Sequence, residues 1–371
     1  MPDTSTDRSS PAAPATEAPD PGRAEAFADR FLNALNESAL CLMVSVGHRT
    51  GLLDAMAGGP PATSRELAER AGLDERYVRE WLGAVTTAGV VETDGEGRFW
   101  LPSEHAAFLT RDATPENMAV FAQYVAVLGG VEDEIVDCFR SGGGVDYGQY
   151  DRFHQVMAED SAQTVLSSLE EHILPLVPDL PERLESGIRV LDAGCGRGRA
   201  LRWMAQRYPR SEFVGVDLSE EAIGVARRRA DEEGLPNVDF RVRDLSDFGD
   251  TAEPDAFDLV TTFDAVHDQA RPLSLLRGIA RTLRDGGAYL MQDIRAESQV
   301  AGNLDHPIGP FLYTISCMHC MSVSLAQGGD GLGAMWGREK ALQYLEEAGF
   351  GRVEIHHLDH DFQNSYYVAR P

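Results

Sequence analysis

Three glycines, at 194, 196 and 198, sit in Asp192-Ala-Gly-Cys-Gly-Arg-Gly198. The turn separates an apolar run that reads as a buried strand (188–191) from a stretch that reads as a helix (199–207). Glycine lets a ligand come close to the backbone there. A second strand, Phe213 to Val216, ends on Asp217. That acid lies about 20 residues past the glycines, where doubly wound folds place the group that bonds ribose hydroxyls. The spacing is GxGxG, and Arg199 stands where a dinucleotide binder needs its third small residue. The pyrophosphate fingerprint is therefore out of register.

Histidine and cysteine supply the other candidate chemistry. His267, in Ala265-Val-His-Asp268, falls just beyond an expected fourth strand. It is either a general base or a residue that packs against a nucleobase or caps the next helix. Cys317-Met-His-Cys320 has the CxxC spacing of a zinc site, but a structural site needs four ligands and no second CxxC follows. No metal is expected, and His319 becomes a second acid-base or substrate-contact candidate. The run Glu354-Ile-His-His-Leu-Asp-His-Asp361 reads as an edge strand and hairpin turn. It is expected to be solvated and far from the ligand edge of the sheet.

These residues need a scaffold. Strands are expected at 188–193, 212–217, 238–243, 257–263, 287–294, 351–357 and 365–369, and helices near 197–207, 219–233, 270–284 and 339–349. Such alternation predicts an α/β, doubly wound, Rossmann-like sheet of seven strands. Only Asp359 to Asn364 separates the last two strands, too short for a parallel crossover, so the final strand must run antiparallel. A stretch at 295–337 interrupts the pattern and reads as a functional cover.

Residues 1–23 are rich in Pro, Ala, Ser, Thr and acids and read as a disordered tail. Residues 24–113 read as an α-helical winged-helix domain. Phe27, Phe31 and Leu35 stripe its first helix, as a dimer contact or a core helix would require. Thr63-Ser-Arg-Glu66 predicts a capping box, and Tyr77, Val78, Trp81, Leu82 and Val85 are expected on one helix face. The strands of the wing flank Asp94-Gly-Glu-Gly97. Residues 114–186 read as a helical linker and lid, and 187–371 as the main domain. Tyr147, Tyr150, Phe153, Phe311, Tyr313 and Met318 are expected to form an apolar substrate pocket, or else ordinary core.

Charge narrows the partners. With Lys+Arg 33 against Asp+Glu 60, the chain carries −27. Its expected recognition helix begins Asp74-Glu-Arg-Tyr-Val-Arg-Glu80, without the basic footprint that nucleic acid requires. No apolar run approaches the ~18 residues of a membrane span. Five cysteines give no disulfide framework, so a reducing cytoplasm is expected.

Val190-Leu-Asp-Ala-Gly-Cys-Gly-Arg-Gly198 resembles the first motif of class I S-adenosylmethionine-dependent methyltransferases. Asp217, Arg243-Asp-Leu245, Phe257-Asp-Leu-Val-Thr-Thr-Phe-Asp264, Leu283-Arg-Asp-Gly-Gly-Ala-Tyr-Leu290 and the reversed last strand agree in order. The whole chain is similar to a mycobacterial-type winged-helix branch, whose layout matches plant-type small-molecule O-methyltransferases. The resemblance implies S-adenosyl-L-methionine as cofactor, a small-molecule acceptor and a homodimer. It implies cofactor contacts by Asp192, Gly194, Cys195 and Gly196, ribose bonding by Asp217, and adenine contacts by Leu218, Asp244 and Leu245. Phe263 and Asp264 would face the methionine amine, with Cys195 serving as a small packing residue. His267 matches the His-Asp pair whose histidine is the base in plant-type enzymes. Two other classes fit the sequence less well: a cofactor-responsive transcriptional regulator on the same fold, disfavoured by the acidic wing, and a dinucleotide oxidoreductase, disfavoured by the glycine spacing and the closing hairpin.

Overall fold

The computed structural model describes residues 18–371. Most of the expected tail lies outside the described residues, and Pro21-Gly-Arg23 already belongs to the first helix, Pro21–Thr50. Asp20 starts that helix by accepting from the amides of Gly22 and Arg23, and Gly51 ends it at φ +73°. Its carboxyl half is anchored where Gly47 lets the Trp81 ring close in (a Cβ there would meet it at 2.7 Å). Trp81 Nε1 donates to the Met43 carbonyl at 2.8 Å. Every described residue before Leu40 is exposed, with Phe27 at 63% and Phe31 at 56%. A core-helix role for the stripe is thereby excluded within this chain.

The winged helix forms as its local signals require. Thr63 and Glu66 close the capping box around helix Ser64–Ala71, and Asp74 caps helix Glu75–Thr87. Val78, Trp81, Leu82 and Val85 are buried, while Tyr77, expected beside them, is 81% exposed. The four buried positions complete an i, i+3, i+4, i+7 stripe, and Tyr77 falls off its edge. Arg76 pairs with Glu80 and Arg79 with Glu75, so the bases of this helix are neutralised on its own surface. The wing is β1 (Glu92–Thr93) and β2 (Phe99–Trp100), paired antiparallel.

The main sheet comprises β3 (Arg189–Ala193), β4 (Glu212–Asp217), β5 (Val238–Val242), β6 (Phe257–Phe263), β7 (Leu283–Ile294), β8 (Arg352–His356) and β9 (Asn364–Arg370). Their spatial order is β5-β4-β3-β6-β7-β9-β8, and β9 runs antiparallel to both neighbours. Side chains alternate between two apolar layers. Val260, Tyr289 and Tyr367 enter one, and Leu259, Leu290 and Tyr366 enter the other. β7 starts four residues earlier than expected, and its register against β6 shifts over Arg284 to Gly287, between the pairs Phe257↔Leu283 and Leu259↔Ala288.

The hairpin tip lies at the opposite edge of the sheet from the one expected. Ile294, at the carboxyl end of β7, pairs with Asn364, the first residue of β9. A strand that runs against the sheet must begin at its carboxyl edge, so residues 357–363 lie at the ligand edge. Asp361 is buried there, accepting from Asn364 and from Tyr366 Oη at 2.7 Å. The cover at 295–337 is helical, with a π turn at Ser316–Cys320 between Gly309–Ile315 and Met321–Ala326. It holds the lid directly: Val145 N donates to Ser322 Oγ at 2.8 Å. Gly144 lies so close that a Cβ would overlap the Ser322 carbonyl.

Candidate active site

A cavity of about 700 Å³ lies at the carboxyl ends of β3, β4 and β6, roofed by the lid and the cover. Ligand sites of doubly wound sheets occupy this position. One half is built by the glycine turn. Gly194, at φ +84°, passes the loop after β6 so closely that a Cβ would meet Ala265 Cβ at 2.5 Å. Gly196 has open space beside it and lines the cavity, a cradle that a side chain would fill. Asp217 ties the two strand ends together, its Oδ2 accepting from Gly196 N and its Oδ1 from Ser219 N, both at 2.8 Å. Leu218, Asp244, Leu245, Phe263 and Asp264 also line this cavity.

Two expected cofactor contacts lie elsewhere. Asp192 is buried beneath the turn and accepts from Thr261 Oγ1 at 2.8 Å, outside the cavity lining. Burial raises its carboxyl to about 7. Cys195 packs into the apolar layer with its thiol toward the Gly196 carbonyl. Asp192 belongs to β3 itself and lies below the ligand edge, whereas Cys195 stands in the turn with its side chain packed into the apolar layer beneath it.

The other half is aromatic. Tyr147, Tyr150, Phe153 and Phe311 line it as expected, joined by Phe121 and Tyr124. Tyr313 and Met318 do not. Tyr313 Oη accepts from Asn303 behind the cover, and Met318 packs in the lid core while its carbonyl accepts from Tyr150 Oη at 2.6 Å. His319 and Cys320 replace them at the wall.

His267, buried and lining the cavity, has its Nδ1 2.8 Å from Asp293 Oδ1. Trp336 Nε1 donates to the same oxygen at 3.0 Å. A packed indole thus fixes the carboxylate that fixes the imidazole. Burial works against the imidazolium, but the Asp293 charge and hydrogen bond, with Cys320 nearby, outweigh it and raise His267 well above its usual range. Asp264 adopts φ +50°, an uncommon conformation for a residue other than glycine. Burial, reinforced by Asp293, pushes its carboxyl well up.

Ligand atoms of Asp264, His267 and Asp293 lie within 4.8 Å of one another. That grouping differs from either histidine-rich run considered in the sequence. Asp293, Trp336, Asp160 and Gln363 were not singled out there. Asp293 offered the same signal as Asp217, an acid closing an apolar strand at the ligand edge. Gln363 followed from the hairpin tip, once that was placed correctly.

A seven-stranded sheet with a reversed last strand, a glycine turn and a strand-end acid at one cavity defines the class I methyltransferase fold, carried behind a winged helix. Known proteins agree with each part. Residues 38–111 match the Rv2258c-like winged HTH domain, and residues 184–349 match a methyltransferase domain. The chain is a winged-helix methyltransferase of the class I, S-adenosylmethionine-dependent layout.

Trans-aconitate 2-methyltransferase of Acidovorax sp. (strain JS42) is 28% identical over 188 residues, 50% of this chain and 67% of that protein. Ubiquinone biosynthesis O-methyltransferase of Azoarcus sp. (strain BH72) is 39% identical over 109 residues, 29% of this chain and 45% of that protein. Human N-acetylserotonin methyltransferase, solved in complex with SAM, superposes with a TM-score of 0.64 at 16% identity, covering 92% of this chain and 97% of that one. The chain thus spans about half to two-thirds of these curated relatives, and the superposition bears on fold alone. Among the described residues, no helix is long and apolar enough to cross a membrane.

Proposed function

We propose that this protein transfers a methyl group from S-adenosyl-L-methionine to an oxygen of a small molecule, working as a homodimer. The carrying observation is one cavity that joins the glycine turn and Asp217 to the buried His267–Asp293 pair. The cradle at Gly196, the strand-end carboxylate and the acid-rich wall fit a cationic nucleoside cofactor. When bound, the cofactor supplies an electrophilic methyl on sulfur, and the acceptor displaces it in line.

The chain's own residues do the rest. Gly194 and Gly196 admit the cofactor to the backbone, Asp217 orients its ribose, and Asp244, Leu218 and Leu245 hold its base. The aromatic half excludes water and fixes the acceptor's approach, the effect that proximity requires. His267 Nε2 takes the acceptor proton while Asp293 steadies Nδ1. The exposed stripe of Phe27, Phe31 and Leu35 supports the dimer, because an apolar helix face standing clear of its own domain gains stability by pairing.

The test is methyl incorporation from labelled S-adenosyl-L-methionine into a fractionated small-molecule extract. Labelled small-molecule products that release the label as iodomethane in hot hydriodic acid, as methyl ethers and esters do, support O-methylation. Label found only in protein or nucleic acid contradicts it.

A further inference from the structure

Among the described residues that line the cavity, His319 has a buried ring with neither nitrogen hydrogen-bonded. It is 1% exposed. Its position is nonetheless closely determined. The imidazole stacks on Phe153 with ring centres 3.5 Å apart and planes 12° apart. Tyr147 and Tyr150 meet it edge-on at 5.1 and 4.8 Å. Neither tyrosine serves it, since Tyr150 Oη donates to the Met318 carbonyl and Tyr147 Oη to Asp268.

An apolar ring would pack in that frame without leaving polar atoms unpaired. Burying an unpartnered polar group is unfavourable, and native proteins seldom do so without a reason. The π turn that carries His319 is a rare helical form found often at functional sites. Burial, and the positive charge of His267 and His154 nearby, keep His319 well below the usual histidine range. A neutral imidazole offers one donor and one acceptor.

We propose that His319 is a specificity-determining residue, hydrogen-bonding a second polar group of the acceptor, a hydroxyl or carbonyl on a flat ring, distinct from the oxygen that reacts beside His267. This rests on the methyl-transfer reading, which puts the reacting oxygen at His267. An acceptor lacking the second group leaves His319 unpaired and is rejected, the discrimination that buried polar sites achieve best.

The experiment uses the full chain saturated with S-adenosylhomocysteine and measures binding of naphthol against dihydroxynaphthalene isomers. At least one isomer should bind on the order of tenfold tighter than naphthol. His319→Phe keeps the ring and its stacking. It should bring that isomer down to naphthol's affinity while leaving naphthol and S-adenosylhomocysteine binding unchanged. Should His319→Phe fail to fold, His319→Leu serves the same comparison, and His319→Asn should restore part of the preference. A preference that survives in His319→Phe or His319→Leu overturns the proposal, as does a wild-type protein that prefers no isomer. Either result with S-adenosylhomocysteine binding intact leaves the methyl-transfer reading standing. Loss of that binding in the wild type overturns both.

Discussion

His267 Nδ1 lies 2.8 Å from Asp293 Oδ1, so the loop after β6 and the end of β7 meet at one buried hydrogen bond. The pair sets which nitrogen of His267 faces the cavity, because the bond to Asp293 consumes the other. Removing the imidazole with His267→Ala should cut turnover by about 10²–10⁴-fold, the usual contribution of a positioned base. Binding of S-adenosylhomocysteine should stay unchanged, which isothermal titration would check.

The same pair fixes a pH dependence. A base must be neutral to accept a proton, and Asp293 raises His267 well above its usual range. Activity should therefore climb with pH, its rising limb lying on the alkaline side of ordinary histidine, about 6.5. Asp293→Asn withdraws the raising influence and leaves burial, which lowers. The rising limb should move to lower pH while the plateau falls. A purely structural role for Asp293 would lower the plateau and leave the limb in place.

Asp217 is expected to carry cofactor affinity. Its carboxylate already accepts from Gly196 and Ser219 amides, which hold it at the cavity wall. Asp217→Ala removes its hydrogen bonds to the ribose and frees the glycine turn. Affinity for S-adenosylhomocysteine should fall by about 1–3 kcal/mol, roughly fivefold to 150-fold. Asp217→Asn, which keeps one acceptor, should lose less.

Stability should respond to pH through buried acids. Asp192 and Asp160 are each raised to about 7 by burial, well above the unfolded value. Between about 4 and 7 the folded state binds protons that the unfolded chain has released, so each group costs stability as pH rises through that window and no more above it. The slope approaches about 1.4 kcal/mol per pH unit for each such group. The apo protein should melt higher at pH 5.5 than at pH 8. Asp192→Asn should raise Tm at pH 8 by more than near pH 4, where Asp192 is protonated in the folded state and about half protonated in the unfolded chain.

The long first helix offers a separable test. Phe27→Ser with Phe31→Ser replaces two side chains that touch solvent at 63% and 56%. If the proposed dimer forms through this stripe, light scattering should show a dimer for the wild-type chain and a monomer for the double variant, with S-adenosylhomocysteine binding retained by the cavity.

The half of the cavity built by the glycine turn was legible in the sequence, and the aromatic half only in part. Asp217 ends β4, and Gly194, Gly196 and Asp244 stand in the short turns just past β3 and β5, so one periodic pattern places them all at a single edge. The aromatic half is assembled from the lid near Tyr147–Phe153 and the cover near Phe311–Cys320, which meet only through tertiary contacts. Helical phase decides which side chains face inward there, and the π turn at Ser316–Cys320 shifts that phase. Hence Phe311 and His319 reach the cavity while Tyr313 and Met318 do not. Asp192 failed for the opposite reason: it sits in a recognisable motif, yet the pleat of β3 directs it to Thr261. The hairpin tip needed the register of β9 against β7, which residue spacing alone does not specify.

The central claim is that the glycine turn and Asp217 hold a sulfonium nucleoside. A thermal-shift comparison of the wild-type chain with S-adenosylhomocysteine and with NAD tests this most directly. Ligand that binds the folded state at 100 times its dissociation constant stabilises by about 2.7 kcal/mol. The expected result is a clear rise in Tm with S-adenosylhomocysteine, none with NAD, and a smaller rise in Asp217→Ala at the same ligand concentration. Stabilisation by NAD without stabilisation by the thioether would contradict it.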